Sequence, residues 1–277
     1  MFTRISLYLL WSLCWTTELL STDVFLGLLL ISYLATGGNY TLYLLYHTAA
    51  RDARGAWRYL QLLLLVYVYQ KRNLTVSQVF QRTVKKHPDK VCMYFEDEKW
   101  TFREVRMTRL SQTDPAFTFQ LDEFSNQLAH FLHSAGFKHG DSVALFMENR
   151  LEYVGLWLGC TKIGVVPALI NFNLRGKSLM HSISAVSASA VIFGSELSSA
   201  INDIQSELTV DIRLFSSGKK FNLVGRSENL QSLMSQQSVH PVPEEVTSKL
   251  QFSDKLVYIY TSGTTGLPKA AVVKNSR

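Results

Sequence analysis

Between Val24 and Tyr46 the chain carries no charged residue, and that fact limits what its N-terminal part can become. A helix over this stretch is long enough to cross the roughly 30 Å hydrocarbon core of a bilayer; otherwise it must be buried in a globular core. Gly37-Gly38-Asn39 interrupts the run, so two short apolar pieces meeting at a turn are a second form of the reading. Ile5–Thr17 has the length of a signal-peptide core, but Thr16-Thr17-Glu18 is not a small-residue cleavage pattern. Tyr59–Tyr69 is apolar again and too short to span alone, which fits an interfacial position or packing against protein. Residues 1–72 are therefore read as a membrane-associating apolar region with a spanning segment at 24–46. Arg51, Arg54 and Arg58 follow that segment and only Arg4 precedes it. The positive-inside bias then places everything after residue 50 in the cytosol.

Charge supports this assignment. The chain carries a formal +6, and 18% of its residues are charged against 47% hydrophobic. Much of the excess lies at Arg51, Arg54, Arg58, Lys71, Arg72 and Arg82–Lys86, beside the apolar region, which points to a membrane surface or anionic lipid. No Lys/Arg block is interleaved with stacking aromatics, so nucleic acid is not read as a partner. Cys14, Cys92 and Cys160 are odd in number and far apart. They form neither a metal-ligand spacing nor a disulfide framework, and a reducing compartment fits them.

From about Leu74 the texture becomes that of a soluble α/β domain. Thr75–Lys86 places Val76, Val79, Phe80 and Val84 on one helical face. Val91–Phe95 and Trp100–Phe102 read as strands, and Leu121–Gly136 as a helix closed by its glycine. Ser142–Met147, Val165–Ile170 and Ala190–Phe193 read as strands alternating with helices at Leu151–Ile163, Lys177–Ser187 and Ser195–Glu207. That alternation implies a mostly parallel, layered sheet. Ser216–Lys249 is polar, rich in Ser and Gln, and reads as a surface excursion; Lys255–Tyr260 reads as a buried strand.

Directly after that strand comes Tyr260-Thr261-Ser262-Gly263-Thr264-Thr265-Gly266-Leu267-Pro268-Lys269. Glycines let a backbone approach a phosphate and aim its N–H groups inward. Hydroxyls can bond phosphate oxygens, and Lys269 supplies positive charge. The run is not a Walker A loop, because no Gly-Lys-Ser/Thr closes it and Pro268 precedes the lysine. Ser/Thr/Gly/Pro runs are often plain linkers. Here the loop follows a buried strand and ends on a lysine flanked by apolar residues, which favours a ligand-binding turn.

These ten residues resemble the signature loop of the adenylate-forming superfamily. His87–Lys90, Trp100–Phe102, Leu121–Asn126, Phe146–Arg150, Gly155–Gly159, Ala168–Asn171, Phe193–Glu196 and Tyr258–Tyr260 narrow the resemblance to the fatty acid transport protein branch. The resemblance runs from about Arg51 to the last residue, with one gap. It implies a fold of N-terminal membrane segment plus an incomplete layered α/β adenylate-forming domain over 73–277. It also implies an ATP-dependent ligase for long-chain and very-long-chain fatty acids, coupled to their uptake, with ATP, Mg²⁺ and CoA as cofactors. Thr261, Ser262, Gly263, Thr264, Thr265, Gly266 and Lys269 match the part that holds the β- and γ-phosphates. In such enzymes the fatty carboxylate attacks the α-phosphate, and CoA thiol cleaves the resulting acyl-adenylate. The blocks Met147–Arg150 and Gly155–Gly159 read as packing and strand-end geometry, with Glu148 and Arg150 a structural pair rather than an acid/base couple.

Two departures matter. Arg103–Phe117 intervenes where relatives join strand to helix almost directly, and reads as a retained intron or gene-model error; as real sequence it would form an exposed loop. The chain also ends eight residues past Lys269, where relatives continue. Catalytic, adenine-binding and Mg²⁺-binding residues are expected downstream of Arg277, and this chain alone is expected to be inactive. A non-catalytic membrane protein that binds lipid or a full-length partner is the alternative, and a homo-oligomer is compatible with either. Asn39-Tyr-Thr41 and Asn73-Leu-Thr75 are sequons expected to go unused, the first in the bilayer and the second in the cytosol. Endoplasmic reticulum and plasma membrane both suit the protein.

Overall fold

The computed structural model describes residues 2–87, 90–95, 98–102, 121–218, 225–262 and 266–276. The intervening Arg103–Phe117, and Gly263, Thr264 and Thr265, lie outside the described residues. The chain divides into two compact units, Met1–Tyr67 and Val68–Arg277, a few residues before the boundary read at 72.

The first unit is helical. Helices α1 (Phe2–Thr16) and α2 (Thr22–Tyr33) pair as a hairpin: Trp11 Nε1 donates to Ser32 Oγ at 2.9 Å, and the Trp15 and Phe25 rings stack. A π-turn over Leu34–Gly38 follows, with non-helical backbone at Thr36 and at Gly37, where φ is +93°. Helix α3 (Asn39–Lys71) then runs for 33 residues. The uncharged stretch is therefore two helical pieces meeting at a kink, the second of the two forms read from the sequence. A side chain at position 38 would strike the Tyr33 ring and carbonyl, so the second glycine of the pair is needed for the turn to close. By length and composition the kinked helix Thr22–Lys71 is apolar enough to cross a membrane.

The second unit opens on α4 (Val76–Lys86), capped by Thr75 in a capping box with Gln78. Asn73 commits its amide to the Leu250 carbonyl and the Phe252 N–H, tying the helix entrance to the domain. Strands β1 (Val91–Phe95) and β2 (Glu98–Thr101) form a small antiparallel pair. Thereafter the chain alternates: α5 (Leu121–Ser134), β3 (Ser142–Phe146), α6 (Leu151–Lys162), β4 (Val166–Leu169), α7 (Gly176–Ser184), β5 (Ala190–Gly194), α8 (Ser198–Ile204) and β6 (Arg213–Ser217). Short pieces β7 (Glu228–Asn229), α9 (Leu230–Ser235) and α10 (Glu244–Thr247) lead to β8 (Lys255–Thr261) and β9 (Lys269–Lys274). The sheet order is β7-β6-β5-β3-β4-β8-β9, parallel except for the antiparallel β8–β9 pair.

Both faces of the central strands are covered, which is why they read as nearly unbroken apolar runs. On one face Val143, Leu145 and Ile192 meet α5, α6 and α9 through Leu128, Leu156 and Met234. On the other, Ala144, Phe146, Val191 and Phe193 meet α7 and α8 through Leu179, Ile183 and Ile201. Gly155 and Gly159 let α6 lie against α5: a Cβ at 159 would come within 2.8 Å of Leu128 Cβ and of the Ser125 carbonyl. The packing role read for that block is what the structure shows.

Two readings need correction. Ser216–Lys249 is not a surface excursion alone: Ser216 and Ser217 complete β6, and Leu230, Met234 and Val242 are core residues. Their apolar spacing is sparse, one residue per turn, too thin to stand out in a Ser/Gln-rich stretch. Arg150, for its part, does not pair with Glu148. Its guanidinium reaches Glu196 at 3.1 Å and the Ser217 carbonyl at 2.9 Å, while Glu196 also accepts from the Glu148 N–H. The Arg150–Glu196 pair thus ties together the carboxyl ends of β3, β5 and β6.

Candidate functional site

Strand β8 carries the site. It pairs in parallel with β4, aligning Ala168 with Tyr258 and Leu169 with Ile259, and so emerges at the carboxyl edge of the sheet. There the chain turns and returns as β9, with Thr261 opposite Lys269. The signature run therefore leaves and re-enters the sheet at its carboxyl edge, through Thr261 and Lys269, the side on which open parallel sheets bind ligands.

Both ends of the run are anchored to α7. The Tyr260 hydroxyl donates to the Ser182 carbonyl at 2.5 Å, and His181 Nε2 lies 3.2 Å from the Pro268 carbonyl oxygen. Burial, with Tyr258 nearby, holds the Tyr260 phenol well above its ordinary range, so it remains a donor at any physiological pH. Thr261, Ser262, Gly266, Leu267 and Lys269 are exposed, and Tyr260 and Pro268 are partly buried. Gly266 has a φ of +83° with open space where a Cβ would be, a backbone that glycine adopts without strain. Among the described residues no carboxylate pairs with Lys269, so its ammonium is available to an anion.

Beside this run is an open cleft of about 390 Å³. It is lined by Tyr260 and Ile259 from β8, by Leu169 to Asn173 after β4, and by Met147, Asn149 and Tyr153 after β3. The topology explains it: β3 leads into α6 on one face, whereas β4 leads into α7 on the other. The outgoing chains part above these neighbouring strands and leave a crevice. Asn149, Asn171 and Asn173 bring amide groups to a wall that is otherwise apolar. The sequence reading did not mark this cleft, because its residues come from three segments that only the sheet brings together. Among the described residues no group of three His, Cys, Asp or Glu side chains could hold a metal ion.

The sheet, covered on both faces and carrying this run at its carboxyl edge, resembles the N-terminal domains of adenylate-forming ligases. The chain is similar to the anthranilate CoA ligase AuaEII solved with anthranoyl-AMP, with a TM-score of 0.61 and 20% identity over 74% of this chain and 35% of that one. It is also similar to a putative long-chain-fatty-acid CoA ligase from Rhodopseudomonas palustris, with a TM-score of 0.58 and 18% identity over 73% and 45%. Residues 115–277 match the family of AMP-binding enzymes, and the chain belongs to that family.

Among curated relatives it is 36% identical to long-chain fatty acid transport protein 1 of Bos taurus, over 98% of this chain. It is 36% identical to long-chain fatty acid transport protein 2 of Rattus norvegicus over 73%, and 26% identical to the medium/long-chain-fatty-acid–CoA ligase FadD6 of Mycobacterium tuberculosis over 73%. The resemblance to fatty acid transport proteins thus extends through the apolar region as well, further than the start near Arg51 read from the sequence. The chain spans 39% of the length of the bovine relative.

Proposed function

We propose that this chain supplies the ATP-phosphate-binding part of an ATP-dependent ligase that joins long-chain or very-long-chain fatty acids to CoA, coupled to fatty acid uptake. The observation that carries this reading is the seat of Tyr260–Lys269: a run that leaves and re-enters the sheet at its carboxyl edge, braced at both ends, with Lys269 unpaired by any described carboxylate. In this reading Thr261, Ser262, Thr264 and Thr265 offer hydroxyls to the β- and γ-phosphates. Gly263 and Gly266 let the backbone come close, and Tyr260, Leu267 and Pro268 hold the ends of the turn. Lys269 offsets charge gathering on the leaving pyrophosphate. Mg²⁺ would enter with the polyphosphate, and CoA would accept the acyl group; neither has assigned residues in this chain. The cleft beside Tyr260 has the size and apolar wall to take part of the substrate.

Region 1–72 attaches the protein to a membrane, endoplasmic reticulum or plasma membrane, with residues after it on the cytosolic side. A crossing by 24–46 is one form of that attachment, and the kink at Leu34–Gly38 allows an in-plane form as well. Esterification to CoA there would keep fatty acid entry running downhill.

Titration of the detergent-solubilised chain with a fluorescent ATP analogue tests the proposal. Lys269→Ala should weaken binding by about tenfold or more, the worth of one charge-assisted contact, while Lys274→Ala, at the exposed far end of β9, changes it little. An affinity indifferent to Lys269 would remove the phosphate role.

A further inference from the structure

We propose that helix α3 lies in the plane of an anionic membrane surface, with Arg51, Arg54 and Arg58 among lipid headgroups and the opposite face in the acyl region. The proposal rests on the membrane attachment proposed above and refines its form.

Over residues 47–58 helix α3 has two distinct faces, and beyond them Leu62 and Leu65 fall on the arginine side. His47, Arg51, Arg54 and Arg58 follow at intervals of four, three and four residues, which places them on one side of a helix. Ala49, Ala53, Ala56, Leu60, Leu63 and Tyr67 follow at alternating intervals of four and three, on the opposite side, with no charge among them. No residue of α3 is buried: Leu60 is 56%, Leu64 64% and Tyr67 56% exposed. A basic face opposite an apolar one is the signature of a helix that rests in a membrane interface.

An upright α3 satisfies only half of this. At 33 residues it is about 50 Å long. If its first turns crossed the bilayer, either the three arginines would enter hydrocarbon or Leu60, Leu63 and Tyr67 would project into water. Lying flat, both groups find their medium. The kink at Thr36–Gly38 lets the chain change direction between α2 and α3. The α1–α2 hairpin, with arms of 15 and 12 residues, is shorter than the roughly 30 Å core and suits insertion into one leaflet.

Charge complementarity selects the lipid. Asp52 pairs with Arg51 at 3.0 Å, which still leaves the face net positive, and a negatively charged leaflet attracts such a helix within a Debye length. A second copy of α3 could cover the apolar stripe, but it offers no anion to the arginine side, which a negatively charged surface does.

The test uses the full chain mixed with phosphatidylcholine vesicles, with or without partial replacement by phosphatidylserine, and follows co-flotation. The expected result is several-fold stronger binding to the phosphatidylserine vesicles, a preference that fades with added salt. Arg51→Gln/Arg54→Gln/Arg58→Gln should lose the preference yet still float with phosphatidylcholine, whereas the triple lysine variant keeps it. For orientation, Cys14→Ser/Cys92→Ser removes the half-exposed thiols, and spin labels are placed at Ala53→Cys, Leu60→Cys or Tyr67→Cys. An in-plane helix gives the three labels one shallow depth; a depth graded by about 1.5 Å per residue overturns the in-plane course. Equal binding to both vesicle types, unchanged by the glutamine variant, overturns the arginine contact while leaving membrane attachment standing. No binding to either vesicle type overturns the attachment itself. A concentration-dependent dimer that shields the Leu60 label from lipid would replace this proposal with a helix-pairing interface.

Discussion

The ammonium of Lys162 lies 2.6 Å from the Asp122 carboxylate, in a position where its side chain has no solvent exposure. Its remaining hydrogen bonds go to Asn126 Oδ1 at 2.6 Å and the Asp122 carbonyl at 3.2 Å, so all three donors are satisfied. Asn126 in turn donates to the Val239 carbonyl. A polar knot thus joins α5, α6 and the segment before α10 inside an apolar layer.

Removing one member of such a pair leaves a buried charge uncompensated. Asp122→Ala should cost about 3 kcal/mol or more, and Lys162→Met clearly less. Denaturant unfolding of the chain in detergent would measure both. Burial holds the Lys162 ammonium below its ordinary pKa, despite the opposing pull of Asp122. The unfolded chain therefore binds the proton more tightly, and the penalty of charging Lys162 is relieved as pH rises toward about 10.4. In Asp122→Ala that opposing pull is gone, so its deficit relative to wild type should shrink as pH is raised. A deficit constant from neutral pH upward would show that the charge is not what Asp122 compensates.

Gly159 is a contact position rather than a flexible one. Its alanine variant would press Cβ onto Leu128 and the Ser125 carbonyl, backbone that cannot yield cheaply. A loss of about 1–3 kcal/mol is expected. Gly55→Ala, in a helix with nothing within 4 Å of the new carbon, should be neutral or slightly stabilising by the helix-propensity difference. Thermal unfolding of the two variants gives the comparison.

Arg150 bonds Glu196 and Ser217 with the two terminal nitrogens of one planar fork. Lysine presents a single point charge and cannot reproduce both contacts. Arg150→Lys and Glu196→Gln should each lower the melting temperature by a few degrees, consistent with about 1 kcal/mol. The double variant should cost less than their sum.

Tyr260 sits at the end of β8 where the loop begins. Tyr260→Phe leaves the Ser182 carbonyl without that donor and should cost about 0.5–1.5 kcal/mol. It should also weaken binding of the ATP analogue a few-fold by loosening the brace. Retained affinity alongside the stability loss would place Tyr260 in the framework alone.

Cys160 is fully buried, and burial pushes its thiol up to about 12. At mild pH the native protein should show labelling of Cys14 and Cys92 only, with Cys160 reacting once denaturant unfolds the chain. Mass spectrometry of alkylated peptides reads this directly, and prompt labelling of Cys160 in the native state would contradict the packing of α6.

Several elements were legible because local signals agreed. Val76, Val79, Phe80 and Val84 on one face announce α4, Gly136 and Gly164 close helices at positive φ, and β3, β4 and β5 are apolar runs between them. Strand β6 was missed because Arg213–Ser217 lacks that apolar continuity, and β9 because its alternation is short and its edge is exposed. The β8–β9 pairing could not be read locally, since it depends on where the loop turns.

The sequence by itself determined that an apolar N-terminal region precedes an alternating α/β domain, and that a run of ten residues rich in hydroxyls and glycine ends on a lysine. Those properties follow from residue type and spacing along the chain. Only the tertiary structure decided that Glu196, not Glu148, holds Arg150, and that Asn149, Asn171 and Tyr260 share one cleft. Only it shows Lys162 as a buried ion rather than a surface charge. Such pairings depend on the order in which strands join the sheet, which brings together residues far apart in sequence and leaves no period for a linear reading to detect.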